Sequence, residues 1–165
     1  MHRFAMPCLA VAAALVSTPA AAQSVTLPDT IVFGTSHDAL AEGLEAHCTE
    51  ARSRVIDPPF LPGVEAEQLQ IDCDGFAFMG EPRFAEFVIR DDSLEMIWIL
   101  VDEDDEDRII AAMREAYGEQ GIEAGGMIAF PEHRTAWRFE PPEILFYSEA
   151  LAPLMEAAIA ADSSE

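Results

Sequence analysis

Apolar residues along this chain recur with two different periods, and the switch between them marks its elements. Over residues 68–73, Leu69, Ile71 and Cys73 alternate with Gln68, Gln70 and Asp72, the pattern of a strand with one buried and one wet face. "FAEFVIR" and "LEMIWIL" follow, separated by "DDS", which reads as a hairpin turn. In the second of these, Met96, Trp98 and Leu100 share one face, and Ile97, Ile99 and Val101 the other. A strand apolar on both faces is expected at the centre of a sheet covered on both sides. The period then lengthens: Ile109, Ile110, Met113, Ala116 and Tyr117 form a helical stripe that Gly118 is placed to end. The same order recurs in "MIAF", "RTAWRFE", a Pro141-Pro142 turn and "EILFYS", before a last helix bearing Leu151, Leu154, Met155, Ala158 and Ile159.

Ahead of these lies a helix that Thr35 or Ser36 can cap, with Asp38 in its first turn and Leu40, Leu44, His47 and Cys48 on its packed face. A short strand is expected near Ile31–Phe33, and "IDPPFLPG", with three prolines, reads as a structured loop. The prediction is an α+β fold, an antiparallel sheet of about five to seven short strands with three helices packed on it. "AEFVIRDDSLEMIWIL" and "TAWRFEPPEILFYSEA" share a strand-turn-strand layout leading towards a helix, which suggests a repeated unit.

The first 22 residues change the picture, because they read as an export signal rather than as part of the fold. His2 and Arg3 precede the apolar run Leu9 to Val16, Ser17, Thr18 and Pro19 interrupt it, and Ala20-Ala21-Ala22 supplies the small residues a signal peptidase needs. That run is much shorter than the roughly 20 residues that span a bilayer. Cys8 precedes the apolar core instead of following it, which sets lipidation aside. The expected mature protein, residues 23–165, is a single α+β domain, periplasmic or secreted after cleavage near Ala22-Gln23, with no membrane insertion.

Two cysteines remain in that mature chain, Cys48 and Cys73, and in an oxidising compartment they are read as a disulfide. It would tie the first helix to the strand at 68–73 and contribute about 3 kcal/mol by loop entropy. A zinc site adding His47 and His37 or His133 is the alternative, but its spacings match no common zinc pattern.

Charge narrows the partners. Nine basic residues, all arginine, face 31 acidic ones, for a formal charge of −22. Such a surface repels nucleic acid and anionic lipid and favours a cation or a basic protein surface. The acids concentrate in "VDEDDEDRII", where Asp102, Glu103, Asp104, Asp105 and Asp107 form the candidate acidic binding patch. Acids at a helix start gain about 0.3–1 kcal/mol each from its dipole, and Asp102 or Asp104 could cap it. Weak calcium binding is a second use of these oxygens, although the run lacks the alternation and glycine of an EF-hand loop. No other cofactor is expected.

Little else resembles catalytic chemistry. The chain has no nucleophile elbow, zinc-protease helix motif or glycine-rich phosphate loop. His37 and His133 have no partner nucleophile identifiable by spacing. His47 is read as a structural histidine bonded to backbone, Asp74-Gly75 as a turn, and Trp98 and Trp137 as core residues.

From Phe84 to Tyr147 a strand pair, a helix ending "AAMREAYG", a loop, the strand "TAWRF" and the strand "EILFYS" follow one another. This layout resembles that of uncharacterised small periplasmic proteins of proteobacteria. More distantly, it resembles the tandem helix-and-sheet build of beta-lactamase-inhibitor-like domains. The resemblance implies action by protein contact rather than catalysis, and it carries over no catalytic residue. The functional expectation is therefore an exported, non-catalytic binding or adaptor protein with an acidic surface for a cationic partner. The alternatives are a small periplasmic hydrolase or metal-dependent enzyme with dispersed residues, and a weak calcium-binding structural protein.

Overall fold

The computed structural model describes residues 24–118 and 120–162. The expected signal segment and cleavage point lie outside the described residues.

Among the described residues, three α-helices and one antiparallel sheet make up the fold, in the order α1 (His37–Leu44), β1 (Glu50–Val55), β2 (Gln68–Phe78), β3 (Glu81–Arg90), β4 (Ser93–Leu100), α2 (Glu106–Tyr117), β5 (Ile122–Ala124), β6 (Met127–Phe130), β7 (Thr135–Arg138), β8 (Glu143–Tyr147) and α3 (Ala152–Asp162). The α+β class is as expected, but the sheet has eight strands rather than five to seven, in the order β1-β2-β3-β4-β8-β7-β6-β5. The two unforeseen strands, β1 and β5, are the sheet's edges. Every residue of β1 is exposed, so "EARSRV" carries no hydrophobic alternation to announce it. The strand expected near Ile31–Phe33 is instead a turn, closed by Thr35 N–H donating to Val32 O at 3.3 Å.

Cross-strand register sorts the side chains into two layers. On one face Ile71, Phe87, Ile97, Phe146, Ile144 and Trp137 join Leu40 and Leu44 of α1 and Ile109 and Met113 of α2. Most of the apolar burial, and so most of the hydrophobic stabilisation, lies in this layer. On the other face Val88, Met96, Leu145 and Tyr147 pack with Leu61 of the proline-rich loop and with Leu151, Met155 and Ile159 at the C-terminal end. Strand β4 is central and covered on both sides, as its doubly apolar sequence requires. No residue of α3 is fully buried, and Leu154, expected on its packed stripe, is exposed. Ala112 takes the place expected of Ala116 on α2.

Several local expectations are corrected. Helix α1 stops at Leu44, because the chain must turn at once into β1; Cys48 sits just beyond the helix, its N–H still bonded to Leu44 O at 2.9 Å. The Cys48–Cys73 disulfide, with Cα atoms 5.4 Å apart, therefore staples the turn after α1 to the buried face of β2. Asp74-Gly75 lies inside β2, at an irregularity in the pairing with β3, instead of forming a connecting turn. Gly75 has φ +73°, and a Cβ there would lie 2.7 Å from the Thr49 side chain, so both conformation and space demand glycine. Gln68 and Gln70, expected to be wet, are buried: Gln68 Oε1 accepts N–H bonds from Phe60 (3.1 Å) and Leu61 (2.9 Å), which fastens the proline-rich loop over the sheet.

The "DDS" turn is a further clamp. Asp91 and Asp92 both have positive φ (50° and 65°), the left-handed geometry that suits a two-residue hairpin turn. The Asp91 carboxylate accepts N–H bonds from Glu65, Ala66 and Glu67, and Asp92 Oδ1 accepts one from His37 at the start of α1 at 2.9 Å. Those bonds, Ala66 foremost, hold the Asp91 carboxyl below its ordinary range.

Candidate functional site

The acidic run divides between structure and surface. Asp102 leads into a single 3₁₀ turn, Glu103–Asp105, that continues directly as α2. Neither Asp102 nor Asp105 caps the helix with its side chain. Both turn instead to Arg83 of β3, whose side chain is only 2% exposed. Arg83 shares the alternation of Ala85 and Phe87, so its side chain points into the main layer, beneath the start of α2. Its Nη1 donates to Asp102 Oδ2 at 2.9 Å, and its Nη2 pairs with Asp105 Oδ2. Asp105 Oδ1 also accepts from Arg108 Nε (3.1 Å) and Nη2 (2.9 Å). A buried guanidinium is costly without carboxylates, so these two acids are spent on holding α2 to the sheet. Arg83, and next Arg108, keep the Asp105 carboxyl below its ordinary range.

The other acids of the run face outward. Glu103, Glu106 and Asp107 line a groove with Phe139, Glu140, Pro141 and Pro142 of the β7–β8 turn. Val101 N–H donates to Pro142 O at 2.9 Å and fixes this turn beside the helix start. No ion pair joins Glu103, Asp104, Glu106, Asp107 or Glu140 among the described residues, whereas Arg52, Arg54, Arg83, Arg90, Arg108 and Arg138 each hold a carboxylate. Asp104 is exposed and does not line the groove. Phe139 is 38% exposed within this ring of negative charge. Glu140 and Phe139 were not foreseen as partners of the run, because only the folded β7–β8 turn brings residues 139–142 to it.

A second groove runs between α1 and β1. Asp38, Glu42 and Glu45 rim it, and Ala41, Ala51 and Ile71 form its floor. At its end the His37 ring bridges Ser53 and Asp38, with Nε2 2.9 Å from Ser53 Oγ and Nδ1 3.1 Å from Asp38 Oδ1. Sequence spacing gave no hint of this contact, since Ser53 lies on a strand that carries no hydrophobic signal. The other histidines hold simpler places. His47 Nε2 lies 2.7 Å from Thr30 Oγ1, a side-chain partner instead of the expected backbone one, and its ring packs 6.1 Å from Phe76. His133 lies against the Tyr117 ring at 4.9 Å. Burial pushes the Tyr117 hydroxyl up to about 12, and it donates to Val25 O at 2.5 Å. Trp137 is fully buried, while Trp98 is half-buried beneath the Arg138 guanidinium, 4.3 Å from its ring.

Among the described residues no three histidine, cysteine, aspartate or glutamate side chains converge as metal ligands. No helix among them is long and apolar enough to cross a membrane. Comparison with protein-family models, curated proteins and solved structures finds no match for this chain.

Proposed function

We propose that this chain is an exported, non-catalytic binding or adaptor protein that docks a cationic partner at the groove beside α2. One observation carries the reading. Asp102 and Asp105 are paired with Arg83, whereas among the described residues Glu103, Glu106, Asp107 and Glu140, around the exposed Phe139, form no ion pair. Charge without internal partners, next to an aromatic ring, suits a Lys- or Arg-bearing protein segment. The Cys48–Cys73 disulfide fits an oxidising compartment, which supports export to the periplasm or beyond. Action by protein contact is also what the resemblance to beta-lactamase-inhibitor-like layouts implies.

The expected result is that Glu103→Gln, Glu106→Gln and Asp107→Asn together weaken capture of a basic partner about ten-fold or more at low salt, with an unchanged melting temperature. Charge-driven encounter also predicts that binding by the parent protein falls as ionic strength rises past about 0.15 M. Partner capture unaffected by the triple substitution would sink this reading.

The hydrolase alternative draws on the His37, Ser53 and Asp38 contacts. Its weak point is Asp38, whose side chain is wholly exposed, so water competes for the bond that would orient the ring. A serine-directed fluorophosphonate is expected to leave Ser53 unlabelled. Labelling of Ser53 that His37→Ala abolishes would reverse the order of the two readings.

A further inference from the structure

We propose that the free edge of β1 is a strand-addition site for an extended basic segment of another protein, with alternate Lys or Arg side chains lying against α1. The site is distinct from the groove beside α2, and neither proposal depends on the other.

The backbone supplies the first part of the argument. β1 is the terminal strand of the sheet, and among the described residues no strand pairs with its outer side. Ile56 N–H donates to Gln68 O, so the two-residue period of an antiparallel ladder directs the amides of Arg52 and Arg54 towards β2. The amides and carbonyls of Ala51, Ser53 and Val55 then point away from the sheet, a row of unmet donors and acceptors that an added strand would satisfy. Sheet edges are often blunted by a proline, a bulge or a covering loop. Here the register runs unbroken from Glu50 to Val55, and every side chain along it is exposed.

The chemistry of the occupant follows from the two faces of that edge. Ala51 and Ser53 pair with Cys73 and Ile71, so their side chains lie on the α1 side. An incoming strand beside them would direct every second side chain over the same groove. There Asp38 and Glu42 of α1 and Glu45, the residue that follows its last turn, stand at i, i+4 and i+7, a stripe about 10 Å long. Alternate residues of a strand are about 6.8 Å apart, so two successive basic side chains span that stripe. The groove floor of Ala41, Ala51 and Ile71 accepts the aliphatic stems of Lys or Arg. The opposite face differs: Arg52 is held by Glu50 and Asp74, and Arg54 by Asp72, so that side offers charge already compensated. Positive charge is thus favoured on alternate positions only, which defines a strand-borne pattern and not a generally cationic one.

The test titrates the full mature protein with an eight-residue peptide of alternating Lys and Val, by calorimetry and by amide hydrogen exchange. Binding is expected, with new protection at Ala51, Ser53 and Val55. The same peptide N-methylated at alternate residues, which cannot form the ladder, should bind about ten-fold or more weakly. Asp38→Asn, Glu42→Gln and Glu45→Gln together should have a comparable effect, while the Glu103, Glu106 and Asp107 variant should not. Equal binding of the methylated peptide, or no binding at all, would overturn strand addition. Binding lost only in the Glu103, Glu106 and Asp107 variant would overturn it too and leave the α2 groove standing as the cationic site. Sedimentation showing a dimer that protects these same amides would put a second copy of this chain on the edge and overturn the proposed occupant.

Discussion

Replacing Arg83 with alanine should lower stability at neutral pH by about 2 kcal/mol, a sizeable share of what a domain of this size has. Among the described residues Arg83 is the one cation whose side chain is almost wholly buried while both its carboxylate partners stay in reach of water, at 87% exposure for Asp102 and 26% for Asp105. The pair to Asp102 contributes little, because water competes for so exposed a group. The larger losses are the bond to Asp105 and the packing of the buried stem, worth about 0.8 kcal/mol per methylene. Arg83→Met keeps the stem and should recover about half the loss. The pH dependence separates charge from packing. Asp105 has a folded pKa below its ordinary value of 3.8. Its contribution is therefore complete above that value and is lost as pH falls through the folded pKa beneath it. Arg83→Ala should accordingly lose less stability than the parent on acidification below about pH 4, with Arg108 keeping part of the effect. Urea unfolding across that range measures it. Parallel curves for parent and variant would mean that Arg83 acts by packing alone.

Removing the disulfide should cost more. Cys48→Ala with Cys73→Ala frees a loop of 25 residues in the unfolded chain, which corresponds to about 3 kcal/mol. For a chain of this size that is roughly a 10 °C fall in melting temperature. The bond closes the connection between α1 and β1, so the double variant should also loosen the groove between them. A rise in amide exchange over the parent that is larger along β1 than along β4 would show this directly. A melting temperature within about 2 °C of the parent would show that the covalent link adds nothing the packing does not already secure.

The contrast between β4 and β1 shows how much of the fold was legible in the sequence. Ile97 and Ile99 on one face of β4, Met96 and Trp98 on the other, state their burial in their own chemistry, and the hairpin around "DDS" is equally plain. Glu50–Val55 is a strand only because β2 offers it a ladder, so no local pattern could announce it. Gln68 was misplaced for a related reason: what buries it is the proline-rich loop reaching back across the sheet. The candidate sites divide in the same way. That acids gather at the start of α2 is written in residues 102–107. That Arg83 takes two of them, and that Phe139 and Glu140 join the rest, depends on contacts between residues far apart in the chain.

The β4–β8 seam has a consequence for how the chain finds this structure. Every other pairing in the sheet joins strands that are consecutive in sequence, so each four-strand meander can form from local contacts. Only the seam, with Leu100 opposite Glu143, requires a long loop to close, around α2 and strands β5 to β7. The halves should therefore collapse quickly and meet late, with the docking of β4 on β8 as the slow step. Substitutions at Ile97 or Ile144, which face the main layer from either side of the seam, would then slow folding more than equally destabilising ones at Ile71 or Ile128.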